Sequence, residues 1–551
     1  VTNLMELKKS LANFKMSPIE KVISIFSPEK AMKRAHGRFM MSHKGDLLSP
    51  IFGTSFEGAS LSKTSLRGWF PSGGDADLDS IPDLGWLRVR SRDLYRNSPV
   101  GGGALKRMKT NVVGEGLFLQ SRINRNFLSM TDEQAEDWER NTEREFELWA
   151  GSRDSDVTRM RTFYDTQALA FLSTIMNGDS FVFLPTKIVK SSPYRIKTML
   201  VEADQCQNPG NALFNTNKMA GGVEIDDFHA PIAYWFRKKH PGTFFPNAGW
   251  ERIPAFGSRT GRRNVIHLIN QERINQRRGI PILAPVINSL KQITRLEESE
   301  LLASVIASFF TVFVTHQQAT GELGTGIPDS QSILANTKED DKLYELGTGS
   351  MVDMAPGEEV EIAESKRPNK NYDPFFMSIM KSVGANLEIP MEVLLLHFTS
   401  SYSASRAALL EAFKFFRASR VWLNRSFNQP IYESWLTEAV LLGRVEAPGF
   451  FDDPAFKAAW AGSKWTGSGM GQIDPFKESR GAELRLKNNL STHEDEHTLA
   501  GLGHQWEKTV ERKAREEKKI RDLGLQPANV EAAAPGSETD SQINQEGEDN
   551  A

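Results

Sequence analysis

Between Pro390 and Leu442 the sequence permits little besides a loop that runs into one long helix. The segment opens PMEVLLLHFTSSYSASRAALLEAFKFFRASRVWLNRSFNQP. Pro390 drives the residue before it out of helical backbone and so ends whatever helix precedes it. Thr399, Ser400, Ser401, Tyr402, Ser403 and Ser405 then form a hydroxyl-rich patch. Such side chains compete for backbone hydrogen bonds and favour loops and caps. From Ala404 the pattern turns helical. Leu409, Phe413, Phe416, Leu423 and Phe427 recur at spacings of three, four and seven, which lines them along one face. Arg406, Lys414, Arg417, Arg420 and Arg425 fall off that stripe, on an arc roughly 140° wide. Glu411 is the only acid between Ala404 and Gln429. A helix of this kind needs a core behind its apolar side. Its basic side meets either solvent or nucleic-acid phosphate, and the helix alone leaves both open.

The rest of the chain limits that choice. Its 551 residues carry a net charge of −3, so no global basic field holds nucleic acid. Any contact with DNA is then local or transient. Apolar residues at 39% and charged residues at 25% supply an ordinary soluble core, and the length suggests about three or four domains. Cys206 is the only cysteine. It excludes an intrachain disulfide and any cysteine-based zinc site within one chain, which fits a reducing compartment. The first residues, VTNLMELKKSLANFKMS, show no apolar core and no small-residue cleavage site, so no signal peptide is expected there. Leu301–Thr315 is the most apolar run, 15 residues without a charge. A membrane span needs about 20. The run therefore reads as a buried or subunit-contact helix, and no membrane partner is expected. A membrane pore built on it is one rival reading.

In chain order, residues 1–80 read as a loosely organised, mildly basic arm with short helices. A helix through RVRSRDLYRN is expected to break at Ser98-Pro99 and at Gly101-Gly102-Gly103, then resume to Val112 before a strand LFLQS. Thr131 should cap an acidic helix to Trp149. GDSFVFLP, YRIKTMLVEADQC, GGVEID, APIAYWFRKKHPG and NVIHLI read as strands, an antiparallel or mixed sheet with flanking helices, hence an α+β domain. His240 and His267 sit alone on that pattern and read as satisfied structural histidines. A long helix should run from about Pro281 to Thr315. SMVDMAPGEEVEIA reads as two short strands around Pro356-Gly357. Two further helices follow residue 479, and residues 526–551, without Lys or Arg, should be disordered.

One motif invites an enzymatic reading. His493, Glu494 and His497 fit H-E-x-x-H, the helix of zinc proteases. A metal-dependent hydrolase using those three residues is the second rival. Ser491 and Thr492 precede the motif and acids fill its centre. It reads as the capped, acid-rich start of an ordinary helix. No phosphate-binding G-x-x-x-x-G-K-[ST] occurs in the chain, and no G-x-S-x-G turn sits between a strand and a helix. No cofactor, metal or catalytic residue is expected.

Four separated stretches resemble the portal proteins of lambda-type tailed bacteriophages, together covering roughly residues 85–525. They are RVRSRDLYRN with TNVVGEG; GDSFVFLP through VEADQCQNPGN, GGVEIDDFHAPIAYWFRKKHPG and VIHLINQERINQRRGIP; HFTSSYSASRAALLEAF with RSFNQPIYESWLTEAVLLGRV; and IDPFKE after Trp465. The resemblance implies an α+β portal fold with an α/β wing, a long-helix stem, a small β-containing clip and a helical C-terminal crown. Residues 1–84 would be a mobile basic arm, 85–280 the wing and 281–315 the first stem helix. Residues 316–371 would be the clip, 372–389 the second stem helix and 390–403 the tunnel loop. Residues 404–442 would form a long kinked helix, 443–525 the wing return and crown, and 526–551 a disordered acidic tail.

The family implies a homo-oligomer of twelve subunits at one capsid vertex of a virion, assembled in the host cytoplasm. Double-stranded DNA would pass its channel during packaging and ejection. The terminase large subunit would dock on it, then head–tail connector proteins, with major capsid and scaffold proteins around it. His397, Thr399, Ser400, Ser401, Tyr402 and Ser403 would face the DNA. Arg406, Lys414, Arg417 and Arg420 would form a weak basic belt or pair with acids of a neighbouring subunit.

Overall fold

The computed structural model describes residues 57–59, 63–71, 73–211, 214–216, 218–243, 249–308, 312–316, 358–362, 371–398, 401–467, 469, 474–500 and 506–524. Most of the basic arm and of the 316–371 insertion, Thr399, Ser400 and the acidic tail lie outside the described residues. Two compact units make up the chain, Val1–Asp83 with Arg273–Arg277, and Leu84–Glu272 with Arg278–Ala551. In the smaller unit, Asp77 at the start of helix α1 (Ala76–Asn97) accepts the backbone N–H of Arg277 at 2.9 Å and pairs with its side chain. Arg273 pairs with Asp79 at 2.6 Å.

In the larger unit, Ser98 caps α2 (Pro99–Val112), and Pro99 occupies its first turn, where a missing N–H costs nothing. The break expected at Gly101–Gly103 does not occur, because all three glycines are helical. A Cβ on Gly102 would lie 2.5 Å from the Tyr95 carbonyl oxygen. Glycine is therefore what lets α2 approach α1 so closely. Thr131 with Gln134, and Thr162 with Asp165, form capping boxes at the starts of α3 (Asp132–Ala150) and α4 (Phe163–Asn177). Each satisfies two backbone donors reciprocally.

Two antiparallel sheets follow. In the first, β2 (Asp179–Phe183) lies between β3 (Met199–Val201) and β9 (Val265–Ile269). The second runs β4 (Phe214–Thr216), β5 (Met219–Ala220), β6 (Val223–Ile225), β7 (Pro231–Arg237) and β8 (Trp250–Pro254) in order. The strands expected at GGVEID and APIAYWFRKKHPG are β6 and β7, which form a hairpin with Val223 opposite Tyr234. Phe181, Tyr234, Phe236 and Val265 share a small buried core.

The long helix expected from Pro281 to Thr315 is shorter at both ends. Helix α5 spans Ile287–Ser308, and beyond it Val312–His316 forms strand β10. The β-branched and aromatic run Val312-Phe313-Val314-Thr315 suits a strand. Its partner is β11 (Glu358–Ile362), with Val312 opposite Ile362. The second half of the expected Pro356-Gly357 hairpin thus pairs with the end of the α5 segment, and its first half lies outside the described residues.

Then come α6 (Tyr372–Asn386), α7 (Met391–Leu395) and α8 (Tyr402–Leu423). A π-helical turn over Asn424–Asn428 joins α8 to α9 (Gln429–Leu441). Pro430 lacks the N–H that a regular helix would use there, and the wider turn absorbs its absence. Beyond α10 (Pro454–Trp460) and β12 (Ser463–Thr466) come three helices where two were expected: α11 (Pro475–Lys487), α12 (His493–Leu499) and α13 (Trp506–Asp522). Strand β1 (Phe118–Ser121) pairs with β12, Leu119 opposite Trp465. That pairing joins distant parts of the chain over the main core. Phe146, Trp149, Phe163, Phe427, Tyr432, Trp435 and Trp465 are all buried there. Phe163 stacks on Phe427 at 5.7 Å, and Phe146 meets Trp435 edge-on at 5.0 Å. Separate antiparallel sheets among helices make this an α+β chain, as expected.

Candidate functional site

The apolar face of α8 is buried as its spacing required. Phe416, Leu423 and Phe427 are fully enclosed, and Leu409 and Phe413 pack against the same core. This fixes which side of α8 faces outward. The segment 390–403, read from sequence as one loop, contains α7 and the first turn of α8. Two left-handed residues bracket α7, Glu388 at φ 54° and Leu396 at φ 55°. The backbone N–H groups of Leu396 and His397 both reach the Glu392 carbonyl. A leucine in this region costs about 1–2 kcal/mol of backbone energy.

Of the six residues expected to face DNA, His397 and Ser403 are exposed, while Thr399 and Ser400 lie outside the described residues. Ser401 is the N-cap of α8. Its hydroxyl accepts the Ala404 N–H at 3.4 Å, so it is already engaged. Tyr402 stands in the first turn of α8. Leu396 and Phe398 are exposed beside them.

The four basic residues divide. Arg406 pairs with Glu478 of α11, and Lys414 pairs with Glu411 at 2.6 Å. Arg420 donates to the Val112 and Asn111 carbonyls at 3.0 and 2.9 Å. It caps the C-terminus of α2, whose free carbonyls need donors. Burial, with Arg417 beside it, lowers the Arg420 pKa. Arg417 is exposed and makes no ion pair among the described residues. The outward face of α8 is thus less cationic than its sequence, since Arg406 and Lys414 face carboxylates and Arg420 is turned onto the end of α2.

The densest charge lies where sequence reasoning did not look. Asp179 is 0% exposed. It accepts Arg88 at 2.7 Å, Arg278 at 2.6 and 3.2 Å, and the Gly279 N–H at 3.2 Å. The two guanidiniums also donate to the carbonyls of Asn177, Ala203, Cys206 and Gly221. Burial alone would raise the Asp179 pKa, but Arg278 and Arg88 outweigh it and hold the carboxyl far below its usual range. Burial pulls Arg88 down to about 9. Gly178 and Gly279 cross here, and a Cβ on Gly279 would sit 2.0 Å from the Gly178 carbonyl oxygen. His267 completes the cluster. It stacks on Phe181 at 4.3 Å, its Nε2 lies 3.4 Å from Asp179, and burial lowers its pKa. His267 is the structural histidine that was expected. The GDSF and QRRG motifs meet at this cluster. An acid at the start of an apolar strand was the signal available in the sequence.

His240 is not alone as its sequence context suggested. Its Nε2 lies 3.1 Å from Glu202 and 3.8 Å from Asp204, the one grouping of this kind among the described residues. However, Nδ1 accepts the Gly242 N–H at 3.1 Å, which leaves the proton on Nε2. Arg92 already pairs with Asp204. Despite that closeness, the buried Nε2 makes no hydrogen bond among the described residues, so His240 is not the satisfied histidine that its sequence context suggested.

The H-E-x-x-H helix begins as expected, with Thr492 accepting the Asp495 N–H at 3.2 Å. All three of its acids hold cations: Glu494 with Arg122 at 2.7 Å, Asp495 with Lys464 at 2.9 Å and Glu496 with Arg485 at 2.6 Å. His493 stacks on Trp506. On α3, Glu143 accepts the Ser121 N–H at 2.8 Å. Burial, with Glu139 adding to it, pushes its pKa up to about 7. No helix among the described residues is long and apolar enough to cross a membrane.

Known sequences match this chain along most of its length. The family described as "Phage portal protein, lambda family" matches residues 62–420. The portal protein of Escherichia phage N15 is 25% identical over 486 residues, 85% of this chain and 91% of that protein. Portal protein B of Escherichia phage lambda is 25% identical over 488 residues, 85% of this chain and 90% of that protein. Among solved structures, a chain of the virion of a native gene transfer agent particle is similar over 77% of this chain and 94% of its own, at 12% identity and a TM-score of 0.37. The family match covers well over half of the sequence, and the chain therefore belongs to the lambda family of phage portal proteins.

Proposed function

We propose that twelve copies of this chain form a ring at one capsid vertex, and that double-stranded DNA enters and leaves the capsid through its axis. The terminase large subunit docks on the ring during packaging, and head–tail connector proteins replace it afterwards. Residues 85–280 act as the wing, 281–315 and 372–389 as the stem, 316–371 as the clip, and 443–525 as wing return and crown. In this reading the chain does not drive translocation itself, and the motor supplies the energy.

The observation that carries this reading is the use of the α8 charges. Arg406, Lys414 and Arg420 all have partners within the chain. A polyanion sliding past such a face meets hydroxyls and a few cations, which touch phosphate without holding it. A strongly basic wall would release counterions, bind tightly and stall the DNA. His397, Tyr402 and Ser403 are the residues that line the DNA path in this reading. The double substitution Tyr402→Ala, Ser403→Ala leaves the Ser401 cap intact. Particles carrying it should assemble normally but package or retain less DNA. Wild-type DNA content in those particles refutes the role of this segment.

A further inference from the structure

Two surfaces of the larger unit are built to be covered, and they differ. The first is a stripe on α5. Lys291, Arg295, Glu298, Leu302 and Val305 are all exposed. Their spacing of four, three, four and three places them on one face of the helix, about 21 Å long, charged at its start and apolar at its end. Leu302 is 60% and Val305 47% exposed, with Leu301 beside them at 68%. Apolar side chains in this register belong at an interface.

The second is an open cavity of about 620 Å³ between α6, α7 and α8. Ala385, Glu388, Met391, Glu392, Phe415 and Ala418 line it. Glu411 and Lys414 on its wall pair with each other. That leaves Glu388 and Glu392 against Lys381, an excess of acid. The outward side of α8 next to it also exposes Leu410 and Val421.

We propose that the α5 stripe of one copy seats in the α6–α8 groove of the next. This rests on the ring reading above and names its contact. Lys291 and Arg295 match the acids Glu388 and Glu392, and Leu302 and Val305 match Met391, Phe415 and Ala418. Because the two faces differ, the contact is head-to-tail. Such contacts close into rings when the rotation permits.

The sole native cysteine, Cys206, is buried, so introduced thiols report cleanly. Full-length Leu302→Cys and Ala418→Cys single variants are mixed under assembly conditions and oxidised. The expected product on a non-reducing denaturing gel is a disulfide dimer that needs both variants, and the double variant gives a ladder of multimers. Charge reversal provides a second readout. Arg295→Glu should weaken assembly at least tenfold, and adding Glu392→Arg should restore it. Rings seen by electron microscopy without the mixed disulfide, and indifferent to Arg295→Glu, overturn this pairing and leave the ring reading intact. Disulfides within the Leu302→Cys variant alone overturn the head-to-tail geometry. Absence of rings in every sample overturns both.

Discussion

Replacing Asp179 with Asn isolates the buried charge cluster at almost constant shape. Among the described residues, Asp179 is the anion that Arg88 and Arg278 share, and all three side chains are buried. An amide keeps one acceptor but leaves two guanidiniums inside the protein without a counter-charge. Breaking a buried pair by removing one partner costs about 3–5 kcal/mol. Because the urea m-value grows with the size of the unit, that lowers the urea midpoint by about 0.5–1 M. Equilibrium urea unfolding at pH 7, followed by tryptophan fluorescence, measures it. Adding Arg278→Leu to Asp179→Asn should recover part of the loss, because one unpaired charge is then gone. The pH dependence has a definite sign. A carboxyl held below its unfolded value of 3.8 stabilises the fold above that pH, and the contribution fades as pH falls through the native pKa. A midpoint shift corresponding to less than about 1 kcal/mol, or a double variant as weak as the sum of the singles, would refute the reasoning.

Glu143 should behave in the opposite way. Its pKa rises from 4.5 to about 7 on folding, so its protonated form is favoured below 4.5 and the benefit is lost as pH rises to 7. Glu143→Gln, which keeps an acceptor for the Ser121 N–H, should raise the melting temperature at pH 8 and leave it unchanged at pH 4. Leu396→Gly relieves a left-handed leucine on an exposed turn and should be neutral or stabilising by up to about 1 kcal/mol, read as a change in chemical denaturation midpoint. Arg420→Lys loses the two-carbonyl cap on α2 that a single ammonium cannot reproduce. It should cost about 1–2 kcal/mol and speed amide exchange at the end of α2.

Local features of this fold are plain in the sequence, and long-range ones are not. Thr131 announces its helix because the cap and its acidic first turn lie within a few residues. The α8 phenylalanines name their buried face by spacing alone. The β6–β7 hairpin shows in its alternation and its short turn. By contrast, the β1–β12 pair joins Ser121 to Ser463, and nothing near either residue specifies that partner. The end of α5 at Ser308 was hidden because an uncharged run suits a helix or a strand equally until β11 pairs with it. Glycines 101–103 look like a break, yet the α1–α2 approach requires one of them. The candidate site divides in the same manner. Ser401 and the basic spacing of α8 were visible, but the partners of Arg406 and Arg420 lie 72 and 308 residues away. Sequence therefore overstates the charge that α8 presents.

Imaging the purified full-length chain by electron microscopy, under conditions that permit assembly, tests the central claim most directly. The account predicts rings with an open axis, wide enough for a DNA duplex and about twelve subunits around. Particles that remain monomeric across all assembly conditions, or that close without a central hole, would contradict it.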